Sequence, residues 1–255
     1  MDLLSNAPDM GRAYQEYGHL NRDQGNEEKA VMHYRQACEL NPALLASWSF
    51  LHQYFTKYKN YPAADHAEDQ LKKLKSLPGL LLYISQILNE GRLGLAEEKC
   101  RAFLKKNPTH TYAMSLLAEI ANRLGYFDDA EFLLEKAVEF SPDDGDLRTK
   151  YAEILRKKQK FSKTMEQVEI LCEKFPDNLN YKAQKASEIM QNGDHEEAIN
   201  LLNDILKNNP YNFSTLTSRG HAQKTLGKTD QANASYQSAY QIKPDHGEAF
   251  FSLAN

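Results

Sequence analysis

The sequence lacks the features of disulfide-stabilised, nucleic-acid-binding and membrane proteins. Its three cysteines, Cys38, Cys100 and Cys172, are widely separated, which indicates free thiols in a reducing compartment. The formal net charge is −4, whereas non-specific nucleic-acid binding needs a basic surface. The longest apolar run, residues 80–84, is much shorter than the roughly 20 residues of a membrane span. The N-terminus has no basic region typical of a secretory signal, so we predict a cytoplasmic protein with neither nucleic-acid nor membrane partners.

Motifs that carry catalysis are missing as well. The eight histidines contain no His-Glu-x-x-His motif and no pair four residues apart, so no metal site is predicted. The best match to a phosphate-binding loop, residues 222–229, lacks the first glycine and has no preceding strand. We therefore predict that this chain is not an enzyme and has no catalytic residues, no cofactor and no metal.

Proline, by contrast, recurs at a fixed interval. Five prolines are spaced 34 residues apart: Pro108, Pro142, Pro176, Pro210 and Pro244. The twelfth residue before each proline is an alanine in four of the five cases, and Thr164 is the exception. A fixed period of this length marks a stack of repeated units.

Residues 11–44 show what one unit contains. Ala30 and Tyr34 share one face of a helix, Gly25 provides the backbone freedom for a tight turn before it, and Pro42 follows it. This pattern resembles the tetratricopeptide repeat, and it does so over almost the whole chain. The resemblance implies an all-α fold, a right-handed superhelical solenoid of stacked helix–turn–helix repeats. Small residues at unit positions 8, 20 and 27 would let the helices approach closely.

The predicted domain organisation follows from the period. Residues 1–10 are a lead-in, and residues 247–255 begin an eighth helix that we expect to be truncated. Between them lie seven repeat-like units: 11–44, 45–76, 77–110, 111–144, 145–178, 179–212 and 213–246. The unit 45–76 is two residues short, and the unit 145–178 has Lys158-Gln159-Lys160 where a glycine would normally turn the chain.

The resemblance also implies a function. In tetratricopeptide proteins the first helix of each unit lines a concave groove, mainly through positions 2, 5, 9 and 12. We therefore predict a non-catalytic protein–protein interaction scaffold that binds an extended peptide or protein segment in this groove, with an apolar patch at Leu81 and Leu88. No unit has the Lys and Asn pair with which co-chaperone repeats hold a chaperone tail. The candidate binding residues are Gln15, His19, Arg22, Gln53, Leu81, Ser85, Glu119, Asn122, Glu153, Arg156, Ser187, His221 and Lys224.

An alternative concerns the end of the sequence. Residues 243–255 resemble the junction in bacterial proteins that join tetratricopeptide repeats to a C-terminal sulfotransferase domain. On that hypothesis, residues 1–255 are the N-terminal repeat region of a sulfotransferase and present a protein or peptide substrate to a catalytic domain beyond residue 255. The interrupted helix at this end would also allow self-association through it.

Overall fold

The structure is a computed structural model, and it describes residues 10–244. This part of the chain is built from helices joined by short connections and contains no strand, so the predicted all-α repeat fold is confirmed. The predicted eighth helix at 247–255, the self-association through it, and nearly all of the lead-in lie outside the described residues. The helices are α1 (Gly11–Asp23), α2 (Glu27–Leu40), α3 (Leu45–Lys57), α4 (Tyr61–Ser76), α5 (Gly79–Asn89), α6 (Leu93–Lys106), α7 (Thr111–Arg123), α8 (Phe127–Phe140), α9 (Gly145–Lys157), α10 (Phe161–Lys174), α11 (Leu179–Gln191), α12 (His195–Asn208), α13 (Phe213–Thr225) and α14 (Thr229–Ile242).

The chain divides into two compact units, unit 1 from Met1 to Leu133 and unit 2 from Leu134 to Asn255. In unit 1, α1 packs on α2, α3 packs on α4, and α5 packs on α6. In unit 2, α9 packs on α10, α11 on α12, and α13 on α14. Each pair is a hairpin. The second helix also packs on the first helix of the next hairpin where α2 meets α3, α6 meets α7, α10 meets α11 and α12 meets α13. The repeat is thus present in both units.

One backbone conformation recurs at the turn inside each hairpin. In the first hairpin, the N–H of Asn26 donates to the carbonyl of Asn21 at 2.8 Å, which ends α1 and redirects the chain into α2. This closure requires a residue with positive φ just before the donor. The residues with positive φ are Gly25, Lys59, Gly91, Gly125, Gln159, Gly193 and Gly227. Lys59 and Gln159 therefore adopt the left-handed conformation that glycine adopts in the other turns.

The connection between α4 and α5 is the irregular one. Elsewhere a four-residue connection joins one hairpin to the next, but only Leu77 and Pro78 separate α4 from α5. Pro78 forces the preceding residue into extended backbone, and Leu77 has φ −77° and ψ 141°. As a result α4 runs to Ser76, and α5 begins late and is the shortest helix of the described chain.

The buried face of α5 is displaced by one residue relative to α7. Both helices bury positions 5 and 8 of their units, which are Ser115 and Ala118 in α7 and Leu81 and Ile84 in α5. They differ on either side of these positions: α7 also buries positions 4 and 7, whereas α5 exposes positions 4 and 7 and buries positions 9 and 12. One residue corresponds to a rotation of about 100° around a helix axis. The late start of α5 therefore turns a different face of this helix towards the core.

This displacement contradicts part of the predicted groove. Leu81 is 0% exposed and Leu88 is 2% exposed, and both lie in a core cluster formed by α5, α6 and α7. Ser85 is buried as well. Leu81 and Ser85 are therefore not accessible binding residues, and the apolar patch predicted at Leu81 and Leu88 is part of the core. Leu80 and Tyr83, which the repeat pattern places at core positions 4 and 7, are exposed instead.

Polar contacts join the first part of unit 1 to α5. Asn41, which is fully buried, donates from Nδ2 to the carbonyl of Gln86 at 3.2 Å, and Gln86 donates from Nε2 to the carbonyl of Ala43 at 3.1 Å. Arg12 of α1 forms an ion pair with Glu90 at 3.0 Å. Two separate apolar clusters lie on either side of these contacts, one in α2, α3 and α4 and the other in α5, α6 and α7.

Close helix contact in the first hairpin depends on a glycine opposite a tyrosine. Tyr34 of α2 is fully buried, and its ring packs against Gly18 of α1. A Cβ on Gly18 would lie 2.7 Å from Cε1 of Tyr34, well inside van der Waals contact. The same arrangement recurs in unit 2, where Tyr236 packs against Gly220.

We expect Gly18→Ala to lower the free energy of unfolding by about 1–2 kcal/mol, because the added methyl group pushes α1 away from Tyr34. Gly94→Ala is the matched control in the same unit, since nothing lies within 4 Å of a Cβ at that helical position. That variant should be neutral or stabilised by up to about 1 kcal/mol through helix propensity. Urea unfolding of both variants measures the difference, and an equal shift in both would contradict the steric role of Gly18.

A second prediction concerns the turn at Gln159, where φ is 58°. Because a side chain in this conformation costs roughly 1 kcal/mol, Gln159→Gly should raise the free energy of unfolding by up to about that amount. The reverse exchange, Gly193→Gln, should lower it by a similar amount, since Gly193 occupies the equivalent turn of the next hairpin with φ 95°. Thermal unfolding midpoints report both changes, and a shift of both variants in the same direction would contradict a cost of the left-handed conformation at Gln159.

Candidate functional site

In unit 2, three first helices lie side by side. α11 contacts α13, and an ion pair between Arg156 and Glu188 joins α9 to α11. We call the surface formed by Glu153, Arg156, Asn180, Ser187, Met190, His221 and Lys224 the first-helix face of unit 2. Of the residues predicted to bind a ligand, Glu153, Ser187 and Lys224 are exposed on it. They supply a carboxylate, a hydroxyl and an ammonium group.

Arg156 has a structural partner. Its guanidinium contacts the carboxylate of Glu188, and the side chain of Glu188 is only 2% exposed. A buried carboxylate is stable only when it is paired, so this ion pair fixes α9 relative to α11. Arg156 is therefore engaged within the face, although it had been predicted as a binding residue.

The two predicted histidines are each held by a buried tyrosine. The hydroxyl of Tyr236 lies 3.0 Å from Nδ1 of His221, and the rings meet edge to face. His19 has the same relation to Tyr34 in unit 1, where the two atoms are 2.6 Å apart. The same contact between a histidine that follows a glycine and a tyrosine of the next helix thus occurs in both units.

Most of the other predicted residues in unit 1 are also engaged. Gln15 accepts a hydrogen bond from Ser47 Oγ at 3.0 Å, which ties α1 to α3. Glu119 forms an ion pair with Arg123 at 2.8 Å and lies 3.5 Å from Nδ2 of Asn122. Arg22 pairs with its neighbour Asp23, and Gln53 is exposed. Unit 2 therefore has the larger share of predicted residues that are free to contact a ligand.

Two grooves involve second helices, and neither was predicted from the sequence. A groove of about 580 Å³ in unit 1 is lined by α2, α3 and α4, with Trp48 and Phe55 among its apolar residues and Arg35 stacked on Phe55. A groove of about 560 Å³ in unit 2 is lined by α12 and by Arg219 of α13. The predicted groove was drawn only from first-helix positions 2, 5, 9 and 12, whereas both of these grooves are lined largely by second helices.

Thiol chemistry is disfavoured at the buried cysteines. Burial raises the pKa of Cys38, which lines the groove in unit 1, to about 12 and that of Cys100 to about 11. Both side chains are thus protonated and weakly nucleophilic near neutral pH.

Residues 10–244 contain no group of three or more His, Cys, Asp or Glu residues that could hold a metal ion. None of the helices described here has the length and apolar character needed to cross a membrane.

The chain matches two family models, both described as tetratricopeptide repeat. One covers residues 88–154, and the other covers residues 11–44 and 213–246. Together these segments make up just over half of the 255 residues. The tetratricopeptide fold suggests a protein–protein interaction scaffold, and proteins of this family are typically non-catalytic.

Two curated relatives come from Oryza sativa subsp. japonica. The DnaJ protein P58IPK homologs B and A are each 26% identical to this chain over 182 residues. These alignments cover 65% of this chain but only 38% and 37% of the two relatives, so the chain spans little more than a third of their length.

Solved structures share the fold at low sequence identity. YrrB, described as a tetratricopeptide protein with an unusual peptide-binding site, has a TM-score of 0.58 and 15% identity, covering 69% of this chain and 91% of YrrB. MamA from Desulfovibrio magneticus RS-1 has a TM-score of 0.58 and 10% identity, covering 67% of this chain and 99% of that structure. None of the relatives named here is a sulfotransferase, and that alternative stays a prediction.

This chain belongs to the tetratricopeptide-repeat family, as its paired helices, its recurring turn and the matched family models show.

Proposed function

We propose that this protein is a non-catalytic scaffold that binds an extended segment of a partner protein across the first-helix face of unit 2. The observation that carries the proposal is the pair Arg156–Glu188, which holds α9 and α11 together beside exposed polar side chains. A fixed array of this kind binds with little loss of conformational entropy on the protein side. YrrB, described as having a peptide-binding site, has the same fold, which supports a peptide as the ligand class.

The dimensions of the face set the length of the ligand. Axes of packed helices lie about 8–10 Å apart, so three first helices span about 20 Å. An extended peptide rises about 3.3 Å per residue, and about six residues would therefore cross the face. Met190, which is partly buried on α11, offers an apolar contact in the middle of this path.

The charges on the face would orient the ligand. Glu153 lies on α9 and Lys224 lies on α13, with α11 between them. A peptide with a basic residue at the α9 end and an acidic residue at the α13 end matches both charges, whereas the reversed peptide meets like charges at both ends. This arrangement selects one direction of binding.

We expect peptides selected from a random library on the wild-type protein to carry a basic residue at one end, which contacts Glu153, and an acidic residue at the other end, which contacts Lys224. The double variant Glu153→Lys with Lys224→Glu should weaken their binding about fivefold or more, because it places like charges together. Selection on the double variant should yield peptides with the opposite order. Titration calorimetry of the selected peptides gives the dissociation constants.

The matched control exchanges two charges on the second helix of the same unit, Lys163→Glu with Glu173→Lys. Both residues are exposed on α10, away from the proposed ligand path. The affinity for the selected peptides should be unchanged in this variant. If the control weakens binding as much as the Glu153 and Lys224 exchange does, or if the order of charges does not invert, the proposed binding face is incorrect.

The role of Arg156 has its own test. Arg156→Ala leaves the buried carboxylate of Glu188 without its partner, and it should lower the free energy of unfolding by about 3 kcal/mol. Replacing both residues, with Arg156→Met and Glu188→Leu, should restore most of that loss because no charge then remains buried. Urea unfolding compares the variants, and a single variant as stable as the wild type would exclude this positioning role.

A further inference from the structure

One pair of residues recurs across the hairpins of unit 2. The seventh residue of a first helix contacts a residue sixteen positions earlier, on the second helix of the preceding hairpin. Tyr151 donates to the carboxylate of Glu135 at 3.2 Å. One repeat later, Lys185 forms an ion pair with Glu169 at 3.5 Å. The repeat geometry thus places a carboxylate next to the seventh position twice.

The third member of the series lacks the carboxylate. Arg219 occupies the seventh position of its unit, and its Nη1 donates to Oδ1 of Asn203 at 2.9 Å. Asn203 stands where the two preceding repeats have glutamate. A neutral amide accepts the hydrogen bond but does not balance the charge of a guanidinium, which stays ionised in proteins.

Arg219 is half-buried, and its charge is not compensated by the residues described. Burial lowers the pKa of the Arg219 guanidinium, and no neighbouring carboxylate among residues 10–244 raises it again. Arg148 differs in this respect. Burial also lowers its pKa, but the charges of Asp143 and Glu166 counteract the effect, and Gln167 accepts its hydrogen bond at 2.5 Å. Charges buried in proteins are normally paired, so Arg219 is the exception that needs an explanation.

The guanidinium is held in place. Its Nε donates to Oγ of Ser235 at 3.0 Å, and this hydroxyl in turn donates to Oε1 of the buried Gln223 at 2.7 Å. With Nη1 bonded to Asn203, two of the five N–H donors are used and three remain. The free donors on Nη1 and Nη2 form the planar fork that binds a carboxylate through both of its oxygens.

The space for such a ligand is the groove of about 560 Å³ that Arg219 lines together with α12. Asn200 and Lys207 are exposed along it. Asp204 also lines this groove, but it pairs with Lys207 at 2.7 Å. With these two charges balanced, the lining keeps the single positive charge of Arg219.

We infer that this groove, the Arg219 groove, binds the side-chain carboxylate of an acidic segment of a partner protein. The carboxylate supplies the negative charge that glutamate supplies in the two preceding repeats, and Arg219 contacts it with its free N–H donors. The site is lined by the second helix α12 and by Arg219 of α13, and it does not depend on the first-helix face proposed above.

The test uses the full chain labelled with ¹⁵N and the blocked peptide acetyl-Glu-Glu-Glu-amide. Titration should shift the Nε–H signal of Arg219 in a saturable manner, whereas acetyl-Gln-Gln-Gln-amide should not shift it. Asn203→Glu should weaken the acidic peptide about tenfold, because the new carboxylate occupies the fork. The same variant should raise the thermal midpoint, since it supplies the partner that Lys185 already has.

A second variant removes the charge. Arg219→Leu introduces a residue that Leu51 and Leu117 already represent at the seventh position, and binding read from the backbone amides of Asn203 and Lys207 should be lost. The inference is overturned if the glutamine peptide binds equally well, or if either variant keeps the wild-type affinity. Tighter binding of inorganic phosphate than of the acidic peptide would also overturn it in favour of a phosphate site. Should Arg219→Leu fail to fold, Asn203→Glu decides alone, since it retains the arginine.

Discussion

Every hairpin of this protein depends on burial against its neighbours in sequence. In both units the second helix of a hairpin packs on its own first helix, and α2, α6, α10 and α12 also pack on the first helix of the next hairpin. No hairpin could hide its apolar residues alone, so the geometry of one unit must be compatible with the geometry of the next. The close approach of Gly18 to Tyr34 and the left-handed turn before each second helix are the local means by which that compatibility is kept.

The regular part of this arrangement could be predicted from the sequence because each element has its own residue signal. Gly25 indicates a turn by its freedom of φ, and Ala30 and Tyr34 indicate one helix face by their spacing. The turn at Gln159 cannot be recognised from its residue type. Tertiary packing imposes the same positive φ on Gln159, although a side chain makes this conformation less favourable than it is for glycine. The repeat overrides the preference of a single residue.

The buried face of α5 could not be predicted. The positions of a unit were assigned from the 34-residue period, whereas α5 starts only at the third position of its unit. α4 is two residues longer than the other second helices and α5 is two residues shorter than the other first helices, so Leu81 keeps its position in the count but faces the core. The pairing of Arg156 could not be predicted for a related reason. Arg156 and Glu188 belong to different repeats, and a pattern read within one repeat does not reveal that they pair. The series at Glu135, Glu169 and Asn203 was visible in the sequence, but only by comparing residues sixteen positions apart.

The short connection at Leu77 and Pro78 has a consequence for cooperativity. On either side of it lie two apolar clusters that have no residue in common, and the contacts of Asn41, Gln86 and Glu90 that join these parts are polar. Apolar burial supplies most of the coupling between neighbouring repeats, whereas individual hydrogen bonds and exposed ion pairs each add about 1 kcal/mol or less. We therefore expect unit 1 to open as two blocks, so that the second can stay closed while the first opens and recloses.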